Sequence, residues 1–198
     1  MSSKGCNLIN STVEKINTND DGIESLILEN KEEITADLYV DCTGFKSLLL
    51  EGALGVKFNG IENIIPNNKA WSTHIPYTDK NKQLEPFTNC TALSNGWTWN
   101  IPLWSRIGAG YVYSDKYISD DEALEEFKDY IRTRYDNVPI EDLEFKPITM
   151  RNGIHEKTWE KNVVAIGLSS GFVEPLESTG CLLYTSPSPR DRTRARMP

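Results

Sequence analysis

The sequence predicts an α/β (α+β) fold in which part of a sheet is interrupted by an inserted antiparallel β-sheet region with helices. Two short apolar runs that each stop at a glycine, 36–44 and 162–167, have the character of buried strands. From Trp71 to Ser114 aromatic and β-branched residues dominate and prolines punctuate, which is typical of antiparallel strands. Two such runs on either side of a β-rich middle indicate one sheet with an inserted domain.

The first predicted element is a β-hairpin. Val13 and Ile16 lead into the sequence Asn-Asp-Asp-Gly at 19–22, and Ile23 opens a second apolar run that ends at Leu28. Asn, Asp and Gly are the residues that tolerate the backbone of tight turns, so this pattern favours strand, turn and strand. After the strand at 36–44 we expect a loop-rich stretch to about residue 68.

The most distinct predicted helix lies near 120–134. Ser119-Asp120-Asp121-Glu122 has the form of a capping box. The apolar residues that follow repeat at helical spacing: Ala123, Leu124, Phe127, Tyr130 and Ile131. The acidic residues of this helix are expected to form a solvated face: Glu122, Glu125, Glu126 and Asp129.

Composition excludes several classes of protein. A net charge of −8 argues against nucleic acid or an anionic membrane surface as a partner. No stretch approaches the roughly 20 apolar residues that span a bilayer, and the N-terminus lacks the apolar core of a signal peptide. The four cysteines form no C-x-x-C pair, which disfavours a zinc site and a disulfide framework. We therefore expect a cytoplasmic protein with reduced thiols and no metal.

The segment 181–198 differs in character from the rest of the chain. It holds four of the arginines and three of the prolines. The string CLLYTSPSPRDRTRARMP has the appearance of translated adaptor or cloning sequence, which is excluded from fold analysis. The alternative is a genuine basic, disordered tail.

The sequence Trp97-Thr98-Trp99-Asn100-Ile101-Pro102 is the most specific motif in the chain. Two tryptophans at positions i and i+2 of a strand share one face, which alone would indicate core packing. The pattern W-x-W-x-I-P and its surroundings, from Asn95 to Ser114, resemble the tryptophan-halogenase branch of the flavin-dependent halogenases. This resemblance implies that Trp97, Trp99, Ile101 and Pro102 line the space between the flavin and a tunnel to the substrate.

A second resemblance lies at 171–180, Gly-Phe-Val-Glu-Pro-Leu-Glu-Ser-Thr-Gly. It is similar to the segment that places a catalytic Glu and Ser in that family, which implies these roles for Glu177 and Ser178. The backbone amides of Thr179 and Gly180 would bind the halide, because free N–H groups at a turn that enters a helix form an anion site. The alternative for Glu177 is a carboxylate that only favours a helix start.

A third resemblance concerns the strands that approach the flavin. The run 36–45 resembles the returning strand of FAD-dependent monooxygenase-like (GR2-type) folds, and 162–167 corresponds to the later strand of that fold. The implied cofactor-binding residues are Thr43, Gly44, Gly167, Gly171 and Pro175. Leu168 follows Gly167 where related hydroxylases carry Asp, as in the halogenase branch. We accordingly assign 1–56 and 151–180 to a partial FAD-binding domain, 57–150 to a substrate region, and 181–198 to a non-native or disordered tail.

Other candidate motifs are discounted. Gly108-Ala109-Gly110 lacks the third glycine of G-x-G-x-x-G and is expected to lie between strands, so it is not a dinucleotide fingerprint. His74 and His155 have no partner pattern for a metal or a catalytic triad and are expected to be ordinary polar positions.

The resemblance implies a function for the parent protein. Reduced FAD (FADH2) from a separate flavin reductase, O2 and chloride or bromide would generate hypohalous acid, which halogenates a tryptophan- or indole-like substrate. Glu177 would assist proton removal from that substrate. The resemblance covers residues 1–180, and the family's G-x-G-x-x-G and essential Lys are expected before residue 1. The chain is therefore predicted to be an internal fragment that is inactive alone. The alternatives are a flavin monooxygenase or hydroxylase of the same superfold, and a catalytically inactive fragment.

Overall fold

A computed structural model of the protein describes residues 5–173, which form two compact units. The first unit comprises 5–59 and 154–172, and the second comprises 60–153 with Val173. The strands among the described residues are β1 (Val13–Asn19), β2 (Gly22–Leu28), β3 (Glu33–Ile34), β4 (Tyr39–Asp41), β5 (Phe58–Gly60), β6 (Lys69–Ile75), β7 (Asn89–Ala92), β8 (Gly96–Pro102), β9 (Ile107–Tyr113), β10 (Lys146–Thr149), β11 (Gly153–His155), β12 (Trp159–Glu160), β13 (Val163–Ala165) and β14 (Gly171–Phe172). The helical segments are α1 (Lys80–Gln83), α2 (Asp120–Arg134), a π-helical turn (Leu48–Ala53) and 3₁₀ turns (Gly44–Lys46, Ile140–Asp142, Gly167–Ser169). Among residues 5–173, no helix has the length and apolar character needed to span a bilayer.

The predicted hairpin opens the first unit and is confirmed. β1 pairs antiparallel with β2, and Asn19 lies opposite Gly22 at the turn. The side chain of Asn19 holds the turn, since its Oδ1 accepts a hydrogen bond of 2.9 Å from the N–H of Asp21. β3 then pairs with β2 on the side opposite β1.

An asparagine side chain ties this hairpin to the start of β13. Asn162 Oδ1 accepts a 2.9 Å hydrogen bond from the N–H of Ile23, and Asn162 Nδ2 donates a 2.8 Å bond to the Ile23 carbonyl. The amide thereby satisfies two backbone groups of β2 as a neighbouring strand would. A Cβ on Gly22 would lie 2.8 Å from Asn162 Cγ, so glycine at the turn leaves the room that the amide occupies.

The two glycine-terminated runs meet in one small sheet, as predicted, but their strands are shorter and less buried than expected. β13 lies between β12 and β4, antiparallel to the former and parallel to the latter. Tyr39 and Asp41 of β4 are buried, whereas Leu38 and Val40 are exposed. The prediction of buried strands is confirmed for one face only, because within the described residues these positions alternate between a packed and an open face.

The second unit contains the predicted antiparallel insertion. Within residues 60–153, five strands form one sheet in the order β10-β6-β9-β8-β7. The predicted helix is confirmed as α2, and its side chains at Ala123, Phe127 and Ile131 are fully buried. They share one hydrophobic core with Tyr111 and Tyr113 of β9, so α2 packs on one face of this sheet.

Tyrosine hydroxyls fix α2 to the sheet. Tyr111 OH donates a 2.6 Å hydrogen bond to Glu126, and Tyr113 OH donates a 2.9 Å bond to Asp120. Burial raises the pKa of both phenols, and the neighbouring carboxylates raise it further, so both hydroxyls stay protonated donors. The expectation of a fully solvated acidic face was wrong at Glu126, because its carboxylate turns to the sheet and also accepts from the N–H of Ser94. Glu122, Glu125 and Asp129 are exposed.

The capping box at the start of α2 is confirmed. The N–H of Glu122 donates to Ser119 Oγ at 3.3 Å, and the Glu122 carboxylate accepts from the N–H of Ser119 at 3.2 Å. Two N–H groups that a helix start leaves without a partner are thereby satisfied.

Ser119→Ala should lower the free energy of unfolding of the second unit by about 1 kcal/mol, because the N–H of Glu122 loses its acceptor. Ser119→Thr keeps a hydroxyl that can accept from the N–H of Glu122 and donate to its carboxylate, so it is the matched control and should remain near the unsubstituted value. Urea unfolding followed by circular dichroism measures both. Equal midpoints for the Ala variant and the unsubstituted chain would contradict a stabilising role for the box.

Candidate functional site

The carboxyl ends of β4 and β13 lie side by side at one edge of their sheet. The parallel register places Tyr39 beside Val163 and Asp41 beside Ala165. The N–H of Ile166 donates a 3.0 Å hydrogen bond to the Asp41 carbonyl and extends the pairing beyond the last strand residue. In open α/β sheets, ligands bind outside the carboxyl ends of parallel strands, so this edge is the candidate cofactor position.

Each of these strands leads into a glycine turn of the same form. Gly44 has a φ of 71° and Gly167 a φ of 63°, a left-handed backbone that favours glycine. Each glycine opens a 3₁₀ turn, and each carbonyl accepts a 3.0 Å bond from a serine N–H three residues on, Ser47 and Ser170 respectively. Among residues 5–173, a Cβ built on either glycine would meet no atom within 4 Å. Within this part of the chain, both turns therefore leave room for a ligand to approach the backbone closely.

The carboxylate of Asp41 holds the first turn. It is fully buried, and its Oδ1 accepts from the N–H of Thr43 at 2.9 Å and from the Thr43 hydroxyl at 2.7 Å. Its Oδ2 accepts from the N–H groups of Leu49 and Leu50 at 2.9 and 3.0 Å. The carboxylate thus caps the start of the π-helical turn that follows Gly44 and fixes the loop between β4 and that turn.

Opposing influences act on the pKa of Asp41. Burial raises it, but the hydrogen bonds from the N–H of Leu50, from Thr43 and from Leu49 outweigh burial and hold the pKa below its ordinary value. Asp41 is consequently ionised in the folded protein at neutral pH.

Thr43 has a positioning role in this geometry. Its hydroxyl proton goes to Asp41, and its Oγ1 accepts a 2.8 Å bond from the N–H of Leu48. The hydroxyl is therefore not available as a donor to a cofactor without breaking the bond to the buried carboxylate. Its assignment as a cofactor-binding residue stays a prediction.

The two turns are joined by direct contacts. Ser47 is fully buried, and its Oγ donates a 2.9 Å hydrogen bond to the carbonyl of Ser169 in the second turn. The ring of Phe45 packs edge-on against Phe172, with centroids 5.4 Å apart and planes at 88°. Gly171, the remaining described candidate, is buried in β14 directly before Phe172.

The prediction for His155, which lies in the first unit, was wrong. It is 5% exposed, and its ring nitrogens lie 3.1 Å from the Ser170 carbonyl and 3.2 Å from a Glu51 oxygen. The expected ordinary polar position is in fact a buried ring that links the π-helical turn to the residue after the second glycine turn. Nothing in the local sequence indicates this, since Glu51 lies 104 residues away.

In the second unit, the tryptophan motif divides between the two faces of β8. By strand alternation Trp97, Trp99 and Ile101 share one face, and Pro102 belongs to the other. The indoles of Trp97 and Trp99 are partly exposed, with centroids 6.1 Å apart and planes inclined at 58°. They form a half-open aromatic surface, which we call the indole face.

Asn100, between these tryptophans and the proline, is a residue that sequence analysis missed. It is 2% exposed; its Nδ2 donates a 2.8 Å bond to Tyr130 OH, and its Oδ1 accepts a 3.0 Å bond from Tyr135 OH. Burial raises the pKa of Tyr135 to about 12, so its hydroxyl remains a donor. The only local signal is strand alternation, which puts this amide on the face opposite the indoles.

A cavity of about 430 Å³ opens beside that amide in the second unit. Its wall includes Asn100 and Pro102 of β8 and the end of α2 at Arg134 and Tyr135. Pro102 thus lines a polar cavity on the helix side of the sheet rather than the indole face.

The expectation for Gly108-Ala109-Gly110 needs one correction. The segment lies within β9 and not between strands, where Gly108 pairs with Ile101 and Gly110 with Trp99. Its glycines therefore occupy the indole face of the sheet.

The candidate catalytic and halide-binding residues of the 171–180 segment, and one cofactor-binding candidate, lie outside the described residues. Pro175, Glu177, Ser178, Thr179 and Gly180 are in this group, as is the segment 181–198. Their assigned roles stay predictions.

Solved structures that are similar to this chain include flavin-dependent halogenases. The structure of tryptophan 6-halogenase SttH from Streptomyces toxytricini matches with a TM-score of 0.85 and 39% identity, over 93% of this chain and 37% of that one. BrvH, a flavin-dependent halogenase from Brevundimonas sp. BAL3, matches with a TM-score of 0.83 and 37% identity, over 93% of this chain and 37% of that one.

The sequence comparisons agree. The tryptophan halogenase family model matches residues 1–189, which include the start of the segment predicted to be a tail. The 7-chloro-L-tryptophan 6-halogenase KtzR from Kutzneria sp. (strain 744) is 44% identical over 158 residues, 80% of this chain and 30% of the relative. The chain belongs to the tryptophan halogenase family, and it spans about 30% of the length of the curated relatives it matches.

Asp41→Asn should destabilise the first unit by on the order of 3 kcal/mol, because the ionic acceptor of buried N–H groups is lost. A carboxyl whose pKa is lower folded than unfolded stabilises the fold above its ordinary pKa, and this stabilisation is lost as the pH falls through the folded pKa. The variant should therefore also lose part of the acid dependence of stability. Asp37→Asn, an exposed position with the same charge change, is the control. Parallel stability–pH curves for the Asp41 variant and the unsubstituted chain would contradict this assignment.

Proposed function

We propose that this chain is part of a flavin-dependent halogenase that chlorinates or brominates an aromatic, tryptophan- or indole-like substrate. The observation that carries the proposal is the W-x-W-x-I-P strand, which presents Trp97 and Trp99 on one half-open face in a chain of the tryptophan halogenase family. The proposal concerns a protein of the relatives' length that contains this chain.

The two glycine turns are the proposed contact with FAD. Gly44 and Gly167 leave their backbone beside open space at the carboxyl ends of adjacent parallel strands, which suits the close approach of a planar cofactor. Asp41 and Ser47 keep both turns in place through buried hydrogen bonds. Gly171 and Pro175 are proposed to complete this side of the cofactor site.

A separate flavin reductase would supply the cofactor as FADH2. When bound, FADH2 would supply two electrons to O2, so that one oxygen atom ends in water and the other, with the halide and a proton, in hypohalous acid. Attack of the aromatic ring on the halogen of hypohalous acid would form the carbon–halogen bond while the halogen–oxygen bond breaks and the oxygen leaves as hydroxide, and the ring proton would then be lost. Glu177 is proposed to accept or orient that proton, with Ser178 beside it. The backbone N–H groups of Thr179 and Gly180 are proposed to hold the halide.

The indole face is proposed to line the space between flavin and substrate tunnel. Trp97 and Trp99, with Ile101, would keep the aromatic substrate from reaching the flavin directly. Halogenation would then be favoured over hydroxylation, which requires such contact. Pro102 has a different position, since it borders the polar cavity on the other face.

The test uses a protein of the relatives' length that contains this chain, with flavin reductase, tryptophan and either chloride or bromide. Mass spectrometry should find product that carries the supplied halogen, and no modified product when halide is left out. A hydroxylated product that forms without halide would instead establish a flavin monooxygenase of the same superfold.

In that protein Glu177→Gln should lower the halogenation rate by about 10²- to 10⁴-fold, the range typical of losing a general acid–base group, with little change in flavin affinity. Glu125→Gln, an exposed position on α2 with the same charge change, is the matched control. Near-normal turnover of the Glu177 variant would refute the assigned role.

The 198-residue chain by itself should bind FAD weakly or not at all and form no halogenated product. The resemblance implies that the pyrophosphate-binding βαβ unit of this fold is not part of these 198 residues, and its helix N-terminus is the group expected to bind the cofactor's phosphates. Titration of FAD followed by fluorescence measures the affinity. Micromolar binding accompanied by a sharp cooperative melt would show that this part of the family is a self-sufficient flavin domain.

A further inference from the structure

The Gly-Ala-Gly segment of β9 has a steric relation to the indole face. Trp99 of β8 lies directly opposite Gly110, and the Trp99 indole covers that glycine. A Cβ on Gly110 would lie 2.7 Å from Trp99 Cε2 and closer still to Cζ2 and Cη2. The present position of the indole is therefore available only because residue 110 has no side chain.

We propose that Gly110 is a positioning residue of the halogenation site, because its missing side chain lets the Trp99 indole lie against β9 and so sets the spacing of the Trp97–Trp99 pair. A strand glycine is unfavourable for the strand itself and often marks a close approach of another group. Here the approaching group is a side chain with a role in the proposed function, on which this inference rests. The inference adds to the proposed function the residue that fixes the position of the Trp99 indole.

Two neighbouring glycines supply matched comparisons. A Cβ on Gly108 would meet only the Ile101 carbonyl at 3.8 Å and Leu103 Cδ1 at 3.9 Å, which are ordinary contacts. A Cβ on Gly96 would collide with the backbone of Val112, whose carbonyl carbon would be 3.0 Å away. Position 108 thus has room for a side chain, whereas Gly96 is required for the strand pairing and Gly110 for the position of the Trp99 indole.

The kind of atom that obstructs an added Cβ predicts which part of the structure an alanine would displace. At Gly110 the obstructing atoms belong to a partly exposed ring, so an alanine there should displace the indole and leave the β8–β9 pairing intact. At Gly96 the nearest obstructing atom belongs to the Val112 backbone, and the buried ring of Tyr111 has its Cε2 3.0 Å away, so an alanine there should weaken the sheet. The two substitutions therefore distinguish a glycine that makes room for a neighbouring side chain, Gly110, from a glycine that the strand pairing requires, Gly96.

The first measurement is far-ultraviolet circular dichroism of the full chain, because two close, inclined indoles give an exciton couplet. Trp97→Phe should abolish the couplet and so assign it. Gly110→Ala should reduce or invert it with little change in melting temperature, Gly108→Ala should preserve it, and Gly96→Ala should lower the melting temperature. An unchanged couplet in Gly110→Ala, or no couplet in the unsubstituted chain, would overturn the proposal.

A rescue variant covers the case in which Gly110→Ala does not fold. Trp99→Ala removes all the ring atoms that obstruct the new Cβ, so Gly110→Ala with Trp99→Ala should regain the melting temperature of Trp99→Ala alone. Failure of the double variant to fold would show that the glycine serves the strand itself, and this would overturn the proposal.

The second measurement uses a protein of the relatives' length and counts halogenated product per FADH2 oxidised. Gly110→Ala should lower this ratio, by up to about 10²-fold when the Trp99 indole is misplaced, at unchanged flavin affinity, whereas Glu125→Gln on the exposed side of α2 should not. A lost couplet with an unchanged ratio would overturn the positioning role. If the unsubstituted protein forms no halogenated product, the proposed function fails, and the couplet alone then decides whether Gly110 fixes the position of the indole.

Discussion

The geometry of the first unit depends on one buried carboxylate. Asp41 accepts four hydrogen bonds from three residues that follow it, so the end of β4, the Gly44 turn and the π-helical turn form one rigid connection. Hydrogen bonds to a charged group contribute about 1.5 to 3 kcal/mol each. Ser47 transmits this constraint to the Gly167 turn through its bond to Ser169. Two turns that would otherwise be mobile glycine loops are thereby held side by side.

The sheet of the second unit has a role on each of its two faces. On one face the phenols of Tyr111 and Tyr113 anchor α2, and Asn100 binds the end of that helix. On the other face the same strands carry the indoles of Trp97 and Trp99. Strand alternation joins the two, so the residues that secure the helix also hold the backbone from which the indoles project.

The sequence was sufficient for features that depend on local order. The hairpin, the capping box of α2, the antiparallel insertion and the two glycine turns all follow from residues close together in the chain. Asn100, His155 and Glu126 escaped prediction because their burial depends on partners 15 to 104 residues away. Asp41 was missed for a related reason: an Asp beside a glycine turn looks like a surface residue until the N–H groups of the following turn converge on it.

The Gly44 and Gly167 turns are proposed to face the flavin together. Amide hydrogen exchange of a protein of the relatives' length, with and without FAD, tests this proposal most directly. The account predicts that FAD slows exchange at 44–47 and at 167–170 together, while α2 is unaffected. Unchanged exchange at both turns in a protein that binds FAD would contradict it.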